Sequence, residues 1–145
     1  MKKIRVGVIG LGFIGKQHVE ALRRLPYIEI VAGSDSNLSM REWCEKNGIQ
    51  KYYSDYKEML TNENMDVVHN CTPNNFHYEV SCEILKTGCH VYREKPLTIK
   101  SVEGESLIEL ADKKGLKTAV NFNYRNNLMV QEIQQRIQNG RMGMI

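Results

Sequence analysis

The 145-residue sequence lacks the features that mark membrane-spanning and nucleic-acid-binding proteins. No stretch reaches the roughly 18 consecutive apolar residues that a membrane span needs. Lys and Arg number 20 against 17 Asp and Glu, a net charge of +3, and no basic run exceeds two residues. Nucleic-acid binding favours clustered basic side chains. We therefore expect neither a membrane nor a nucleic acid as a partner.

Cysteine and proline are also scarce. The four cysteines form no CxxC pair and show no metal-ligand spacing with the four histidines, so we predict no metal site. Free thiols are typical of a reducing compartment, and we expect a cytoplasmic protein. The three prolines all fall at predicted element boundaries. The length predicts one domain, large enough to bury a core without disulfides.

Short apolar runs alternate with amphipathic segments along the whole chain. The predicted strands are 4–9, 28–32, 51–53, 65–71, 90–93 and 117–122. The predicted helices are 12–25, 40–44, 56–60, 76–85, 101–114 and 128–139. Such alternation predicts an α/β fold, a parallel sheet with helices on both faces.

The apolar face of two of these helices can be predicted from the spacing of their residues. In the first helix it is formed by Ile14, His18, Ala21, Leu22 and Leu25. In the last helix it is formed by Met129, Val130, Ile133 and Ile137.

A glycine-rich loop follows the first predicted strand and opens the first helix. Its sequence is Gly10-Leu11-Gly12-Phe13-Ile14-Gly15, the pattern GxGxxG in the strand-to-helix context that this motif requires. Gly10 permits a tight turn, Gly12 lets the backbone approach a pyrophosphate, and Gly15 lets the helix pack closely. We predict dinucleotide binding here, with Phe13 and Ile14 contributing. A chance glycine turn is the alternative.

Asp35 lies twenty residues after Gly15, at the end of the second predicted strand. A carboxylate at this place can accept hydrogen bonds from the ribose hydroxyls and would repel a 2′-phosphate. NAD is therefore the expected cofactor, and NADP remains the alternative. The alternative is that Asp35 is simply a turn residue or the N-cap of a helix.

Two polar clusters follow later strands, where ligands of open parallel sheets bind. The first is Thr72-Pro73-Asn74-Asn75-Phe76-His77, and the second is Glu94-Lys95-Pro96. Considered alone, the first cluster would be a polar turn that begins a helix, and Lys95 of the second would be a solvent-exposed surface residue.

With the glycine loop, these clusters identify a family resemblance. The sequence resembles the N-terminal, NAD(P)-binding Rossmann-type domain of the Gfo/Idh/MocA oxidoreductases over essentially its whole length. The matching pieces are Gly10–Gly15, His18, Asp35, Thr72–His77, Glu94–Pro96 and Asn123–Arg125.

The resemblance implies residues that bind the dinucleotide. Thr72, Pro73 and Asn74 would line it, and His77 belongs to the same set, where we expect it to orient the loop. Glu94 would lie near the nicotinamide.

The resemblance also implies a catalytic residue and a substrate side. Lys95 would lie near the nicotinamide, face the substrate and hold or exchange the proton of its hydroxyl group. Tyr124 and Arg125 would border the substrate space.

The domain organisation and activity follow from the same resemblance. Residues 1–140 would form a doubly wound parallel sheet, and residues 141–145 would begin the connection to a C-terminal α/β domain that the sequence does not contain. The implied activity is NAD(P)-dependent oxidation of a sugar, polyol or related alcohol, with little turnover expected from these residues alone. The oligomeric state stays open, a homo-oligomer included.

Two other functions are compatible with a glycine-rich loop. One is a dinucleotide-binding module or regulatory subunit without catalysis. The other is a methyltransferase, in which the Thr-Pro and Glu-Lys-Pro pieces would have no role.

Three residues depart from the expected pattern. Arg93 stands where family members usually carry a small or apolar residue, and we expect it to pair with Glu94 or to alter the charge near the nicotinamide. His69 and Asn70 interrupt an otherwise apolar strand. Burying either without a partner would cost roughly 1–3 kcal/mol, so they are either hydrogen-bonded or the strand is less buried than predicted.

Overall fold

The computed structural model describes residues 2–143. The strands are β1 (Ile4–Ile9), β2 (Ile28–Ser34), β3 (Lys51–Tyr53), β4 (Val67–Asn70), β5 (His90–Arg93) and β6 (Thr118–Val120). The helices are α1 (Phe13–Arg23), α2 (Met40–Lys46), α3 (Tyr56–Asn62), α4 (His77–Lys86), α5 (Ser101–Lys114) and α6 (Leu128–Gln138). Two short 3₁₀ segments, Asn74–Phe76 and Asn123–Asn126, precede α4 and α6.

The strands form one sheet in the order β3-β2-β1-β4-β5-β6, and every neighbouring pair is parallel. This confirms the predicted Rossmann-type α/β fold, since the order is that of a doubly wound dinucleotide-binding sheet. The chain reverses its direction of winding between β1 and β4. A crevice forms there beyond the carboxyl ends of the strands.

Two apolar layers cover the sheet. On one face, helices α3, α4 and α5 pack on the central strands, with Met59, Ile84 and Leu107 fully buried. On the other face, α1 and α2 cover β1 and β2 through Val19 and Cys44. Burial on both faces explains why the central strands are apolar runs and not alternating patterns.

Helix α1 forms as predicted, but its buried face differs. Gly15, His18, Val19 and Leu22 face the sheet, whereas Ile14, Ala21 and Leu25 are exposed. The helix turns this face inward because a glycine at position 15 permits close approach to the main chain of Gly10. The spacing of apolar residues alone does not reveal that contact.

Helix α6 confirms the predicted element and leaves its apolar stripe uncovered by the described residues. Its N-terminus is capped by Asn127, whose side chain accepts hydrogen bonds from the backbone N–H groups of Met129 and Val130. All four stripe residues are exposed. Gly143 ends the described part of the predicted connection at 141–145, and Met144 and Ile145 lie outside the described residues. Within residues 2–143, no helix has the length and hydropathy of a membrane-crossing segment.

Candidate functional site

The glycine loop connects β1 to α1 in a conformation that side chains would disrupt. Gly10 has a φ of 86°, and a Cβ there would lie 2.6 Å from the carbonyl oxygen of Cys71. A Cβ on Gly15 would overlap the carbonyl oxygen of Gly10. Around Gly12, by contrast, a Cβ would meet no atom within 4 Å. The backbone at Gly12 therefore borders open space, as a phosphate-binding loop requires.

The carboxylate of Asp35 is held beside this loop. Its Oδ2 accepts a hydrogen bond from the backbone N–H of Leu11 at 2.7 Å, and its Oδ1 accepts one from Asn37 at 2.8 Å. The hydroxyl of Tyr52 donates to the main-chain oxygen of Asp35 at 2.6 Å. These bonds orient the carboxylate at the end of β2 and leave further lone pairs free to accept hydrogen bonds.

The loop and Asp35 face a common crevice of about 690 Å³ at the carboxyl ends of β1, β2 and β4. Seven residues predicted from the sequence line it: Gly10, Gly12, Phe13, Ile14, Asp35, Thr72 and Pro73. Of the other predicted residues, Gly15 lies behind the loop, and Asn74 is exposed and does not line the crevice. The crevice thus brings together segments that are more than 20 residues apart in the sequence.

These residues fit a dinucleotide. The first backbone N–H groups of α1 have no partner within the helix and carry its positive dipole end, which favours a bound phosphate. Gly12 leaves room for the pyrophosphate, and the fixed Asp35 carboxylate suits ribose hydroxyls.

Asn70 organises the loop that follows β4. Its Oδ1 accepts hydrogen bonds from the backbone N–H and the hydroxyl of Thr72, at 3.2 and 2.7 Å. Its Nδ2 donates to the main-chain oxygen of His77 and to the hydroxyl of Ser81, at 3.1 and 3.0 Å. Asn70 is therefore buried with all its polar atoms bonded, which was the first of the two outcomes expected for this strand.

His77 joins the two polar loops. Its side chain is fully buried, with Nε2 at 2.9 Å from the main-chain oxygen of Thr72 and Nδ1 at 2.7 Å from that of Pro96. The ring is buried and does not line the crevice. Both of its neighbours are acceptors, and a neutral ring, which has one N–H, donates to one of the two loops at a time.

Glu94 lies at the end of β5 in a network of hydrogen bonds. Its Oε1 accepts from Nε2 of His18 at 2.9 Å and from Nδ2 of Asn121 at 2.6 Å. Burial alone would raise the pKa of this carboxyl, but the bonds from Asn121 and His18 outweigh burial and hold the pKa below its usual range. Glu94 therefore remains a carboxylate with most of its side chain covered.

Lys95 is exposed and faces a smaller hollow of about 300 Å³. The other residues that line this hollow are Phe122, Asn123, Tyr124 and Arg125. The structure thus brings together Lys95, Tyr124 and Arg125, the three residues predicted for the substrate side.

The comparisons with known proteins agree with this geometry. Residues 4–122 match the sequence profile of the Gfo/Idh/MocA oxidoreductase family, described as an NAD-binding Rossmann fold. The chain belongs to this family.

Among its relatives, D-glucoside 3-dehydrogenase of Escherichia coli is 35% identical over 98% of this chain. Myo-inositol 2-dehydrogenase of Thermotoga maritima is 33% identical over 97% of it. The chain spans 41% and 42% of the length of these two proteins.

A similar structure is that of the WlbA dehydrogenase of Bordetella pertussis in complex with NADH and UDP-GlcNAcA. It has a TM-score of 0.88 and 29% identity and covers 100% of this chain and 44% of its own.

Arg93 departs from the expectation for this family domain. It is fully buried, and its Nη1 donates to the main-chain oxygen of Leu97 at 3.4 Å, while Nε and Nη2 have no partner among the described residues. The predicted pairing with Glu94 is wrong, because successive strand residues point to opposite faces of the sheet. Burial lowers the pKa of Arg93 to about 10.

Several residues of the site were missed by sequence reasoning. The crevice also includes Ser36 and Tyr56, and the Glu94 network includes Tyr92 and Asn121. Ser36 and Tyr56 lie just beyond the ends of β2 and β3. The rule that ligands bind at the carboxyl ends of strands could have found them.

Proposed function

We propose that this chain forms the dinucleotide-binding part of an NAD-dependent dehydrogenase that acts on a sugar, polyol or related alcohol. The observation that carries the proposal is the open backbone at Gly12 beside the fixed carboxylate of Asp35, both facing one crevice. The substrate class is supported by the relatives named myo-inositol 2-dehydrogenase and D-glucoside 3-dehydrogenase.

The dinucleotide would lie along the crevice. The first turn of α1 would hold the pyrophosphate, and Asp35 would accept hydrogen bonds from the adenosine ribose. Thr72, Pro73 and Asn74 would line the cofactor further along, which directs its nicotinamide toward the ends of β4 and β5. A 2′-phosphate would be repelled by Asp35, so we propose NAD and not NADP as the preferred cofactor.

The reaction also requires a proton acceptor on the substrate side of the site. NAD, when bound, supplies the acceptor for a hydride. The substrate hydroxyl must then lose its proton, and Lys95 is the exposed basic side chain at the end of β5 that would hold or accept it. Tyr124 and Arg125, which line the same hollow, would contact the substrate.

The cellular setting is part of the proposal. All four cysteines are free thiols, two of them buried, which supports a reducing cytoplasm. Because the relatives are more than twice as long as this chain, we propose that the 145 residues bind NAD with little turnover by themselves.

Calorimetric titration of the chain with NAD and with NADP tests the proposal. We expect NAD to bind, and NADP to bind more weakly. Asp35→Ala should weaken NAD binding by about tenfold or more, since it removes charged hydrogen bonds, and should weaken NADP binding less.

Asp55→Ala is the matched control, because Asp55 also lines the crevice but its carboxylate caps α3. We expect this variant to change NAD and NADP binding equally. Absence of binding to either dinucleotide by the folded chain would contradict the proposal. An equal loss of NAD and NADP in Asp35→Ala would contradict the account of cofactor choice.

A further inference from the structure

Three polar side chains from separate elements form a continuous hydrogen-bonded row. His18 of α1 lies between Glu94, beyond β5, and His69 of β4. Its Nε2 is 2.9 Å from Oε1 of Glu94, and its Nδ1 is 2.8 Å from Nδ1 of His69. The proposed function assigns no role to either histidine.

The first bond of the row has a defined direction. A carboxylate can only accept hydrogen bonds, so the Nε2 of His18 must carry a proton. Asn121 donates to the same carboxylate oxygen, and Tyr92 fixes Asn121 by donating its hydroxyl to Oδ1 at 3.0 Å. The Oε1 of Glu94 is thus held by two side-chain donors from distant parts of the sequence.

The second bond has two allowed directions. A neutral His18 has a bare Nδ1, so His69 must donate its own Nδ1–H. When His18 gains a proton on Nδ1, it becomes the donor, and His69 must then carry its proton on Nε2. Because a neutral imidazole has one N–H, the charge of His18 determines the tautomer of His69.

The positive charge of the pair is expected on His18, because His18 and not His69 donates to the Glu94 carboxylate. Burial, and then the charge of His18, lowers the pKa of His69 to about 3. The titratable groups in contact with this pair are Tyr92, whose ring centroid is 4.7 Å from that of His69, and Glu94; the Cys71 thiol lies near Glu94. Burial raises the pKa of the Cys71 thiol, so the carboxylate is the only anion of this set near neutral pH.

We propose that His18 is a positioning residue that holds the Glu94–Lys95 loop against α1, and that His69 accommodates a change in its charge by exchanging tautomers. One proton enters at Nε2 of His69, and the Nδ1 proton of His69 passes to Nδ1 of His18, so that the pair gains one proton in total. The Nε2–H···Glu94 bond is kept throughout.

The location of the row gives it a link to the site. Helix α1 begins with the glycine loop, and Lys95 directly follows Glu94, whose Oε2 accepts from the backbone N–H of Lys95 at 3.3 Å. The row therefore joins the loop proposed to bind phosphate to the residue proposed to meet the substrate. The significance of this row for catalysis rests on the proposed function. The geometry of the row is independent of that function.

The tautomers can be measured in the ligand-free protein by ¹⁵N–¹H NMR of the histidine rings across a pH titration. We expect His69 to carry its proton on Nδ1 at high pH and on Nε2 at low pH, because the pair gains one proton between the two states. The backbone amide signal of Lys95 should shift with the same midpoint. A His69 that keeps its Nε2 proton throughout, or that becomes charged together with His18, would overturn the proposal.

Two variants separate positioning from simple packing. In His18→Gln, the amide can donate to Glu94 and accept from His69, so His69 should stay protonated on Nδ1 and the Lys95 amide should lose its titration. In His18→Leu both bonds are lost. The backbone amide signal of Lys95 should then have a chemical shift that is not seen in His18→Gln at any pH. Should His18→Leu not fold, His18→Gln alone decides, because an unchanged Lys95 titration in that variant would overturn the proposal.

NADH titration then connects the row to the proposed function. We expect His18→Leu to weaken NADH binding by about threefold to tenfold, and His18→Gln to restore it to within about twofold. If the wild-type chain binds no dinucleotide, the proposed function fails. The tautomer titration still tests the proposed behaviour of His18 and His69, because it needs no cofactor. If the tautomers behave as expected but both variants bind NADH like the wild type, the positioning role is overturned and the proposed function stands.

Discussion

At the scale of single residues, Arg93 is a buried charge without a counter-charge among the described residues. Arg93 is fully buried, and two of its guanidinium nitrogens have no partner among residues 2–143. A buried ion that lacks a counter-charge costs several kcal/mol relative to water. The interactions of Arg93 with Cys82 and with the main-chain oxygen of Leu97 offset little of that cost.

Arg93→Met should therefore stabilise the protein. Methionine fills similar apolar space without the desolvation cost, and we expect the free energy of unfolding to rise by about 1–4 kcal/mol in urea titrations. Arg136→Met is the control, since Arg136 is an exposed residue of α6 and its replacement should change stability by less than about 0.5 kcal/mol. A marked destabilisation by Arg93→Met would show that the guanidinium has a buried partner.

At the scale of elements, the contact between α1 and the glycine loop depends on the absence of one side chain. Gly15 faces the main chain of Gly10, and the helix begins only two residues earlier, at Phe13. Any Cβ at position 15 would push the helix away from the loop. The same shift would move the first N–H groups of α1 away from the crevice.

We expect Gly15→Ala to destabilise the protein by about 1–3 kcal/mol, even though alanine is the better helix former by about 1 kcal/mol. NAD binding should weaken in parallel, as measured by calorimetry. Gly104→Ala in α5 is the matched control, because its Cβ would meet only the side chains of Leu97 and Thr98, at 3.2 and 3.3 Å. That variant should be neutral or slightly stabilising. Equal effects of the two substitutions would contradict this account.

At the scale of the whole molecule, buried titratable groups link stability to pH. His69 has a native pKa of about 3, below its ordinary value of 6.5. Between these values the unfolded chain binds a proton that the native chain does not, so stability falls as the pH falls. Glu63 adds a further loss at lower pH. Burial raises its pKa, but hydrogen bonds from Lys51 and Tyr53 outweigh burial and lower the pKa below the ordinary 4.5.

We therefore expect the free energy of unfolding to begin to decrease below about pH 6.5, well above the range in which carboxylates titrate. Urea titrations at a series of pH values measure this dependence. In His69→Leu the decrease between about pH 6.5 and 5 should become smaller, while the loss below about pH 4.5 should remain. An unchanged upper slope in this variant would refute the assignment to His69.

The local features of the fold and site could be predicted from the sequence. The alternation of apolar runs with helical periodicity specifies strands and helices, because each period reflects backbone geometry within a few residues. Gly10, Gly12, Gly15 and Asp35 could be assigned to one site because a turn, a helix start and a strand end are local features with a fixed order.

What the tertiary structure decided are the contacts between distant segments. Spacing along the chain could not show that His18 meets both Glu94 and His69, that Asn70 is bonded on every side, or that Arg93 points away from Glu94. Each depends on the register of parallel strands and on the rotation of α1 over the sheet. Those are set by the packing of the whole core, in which a glycine at one position outweighs the apolar pattern of a helix.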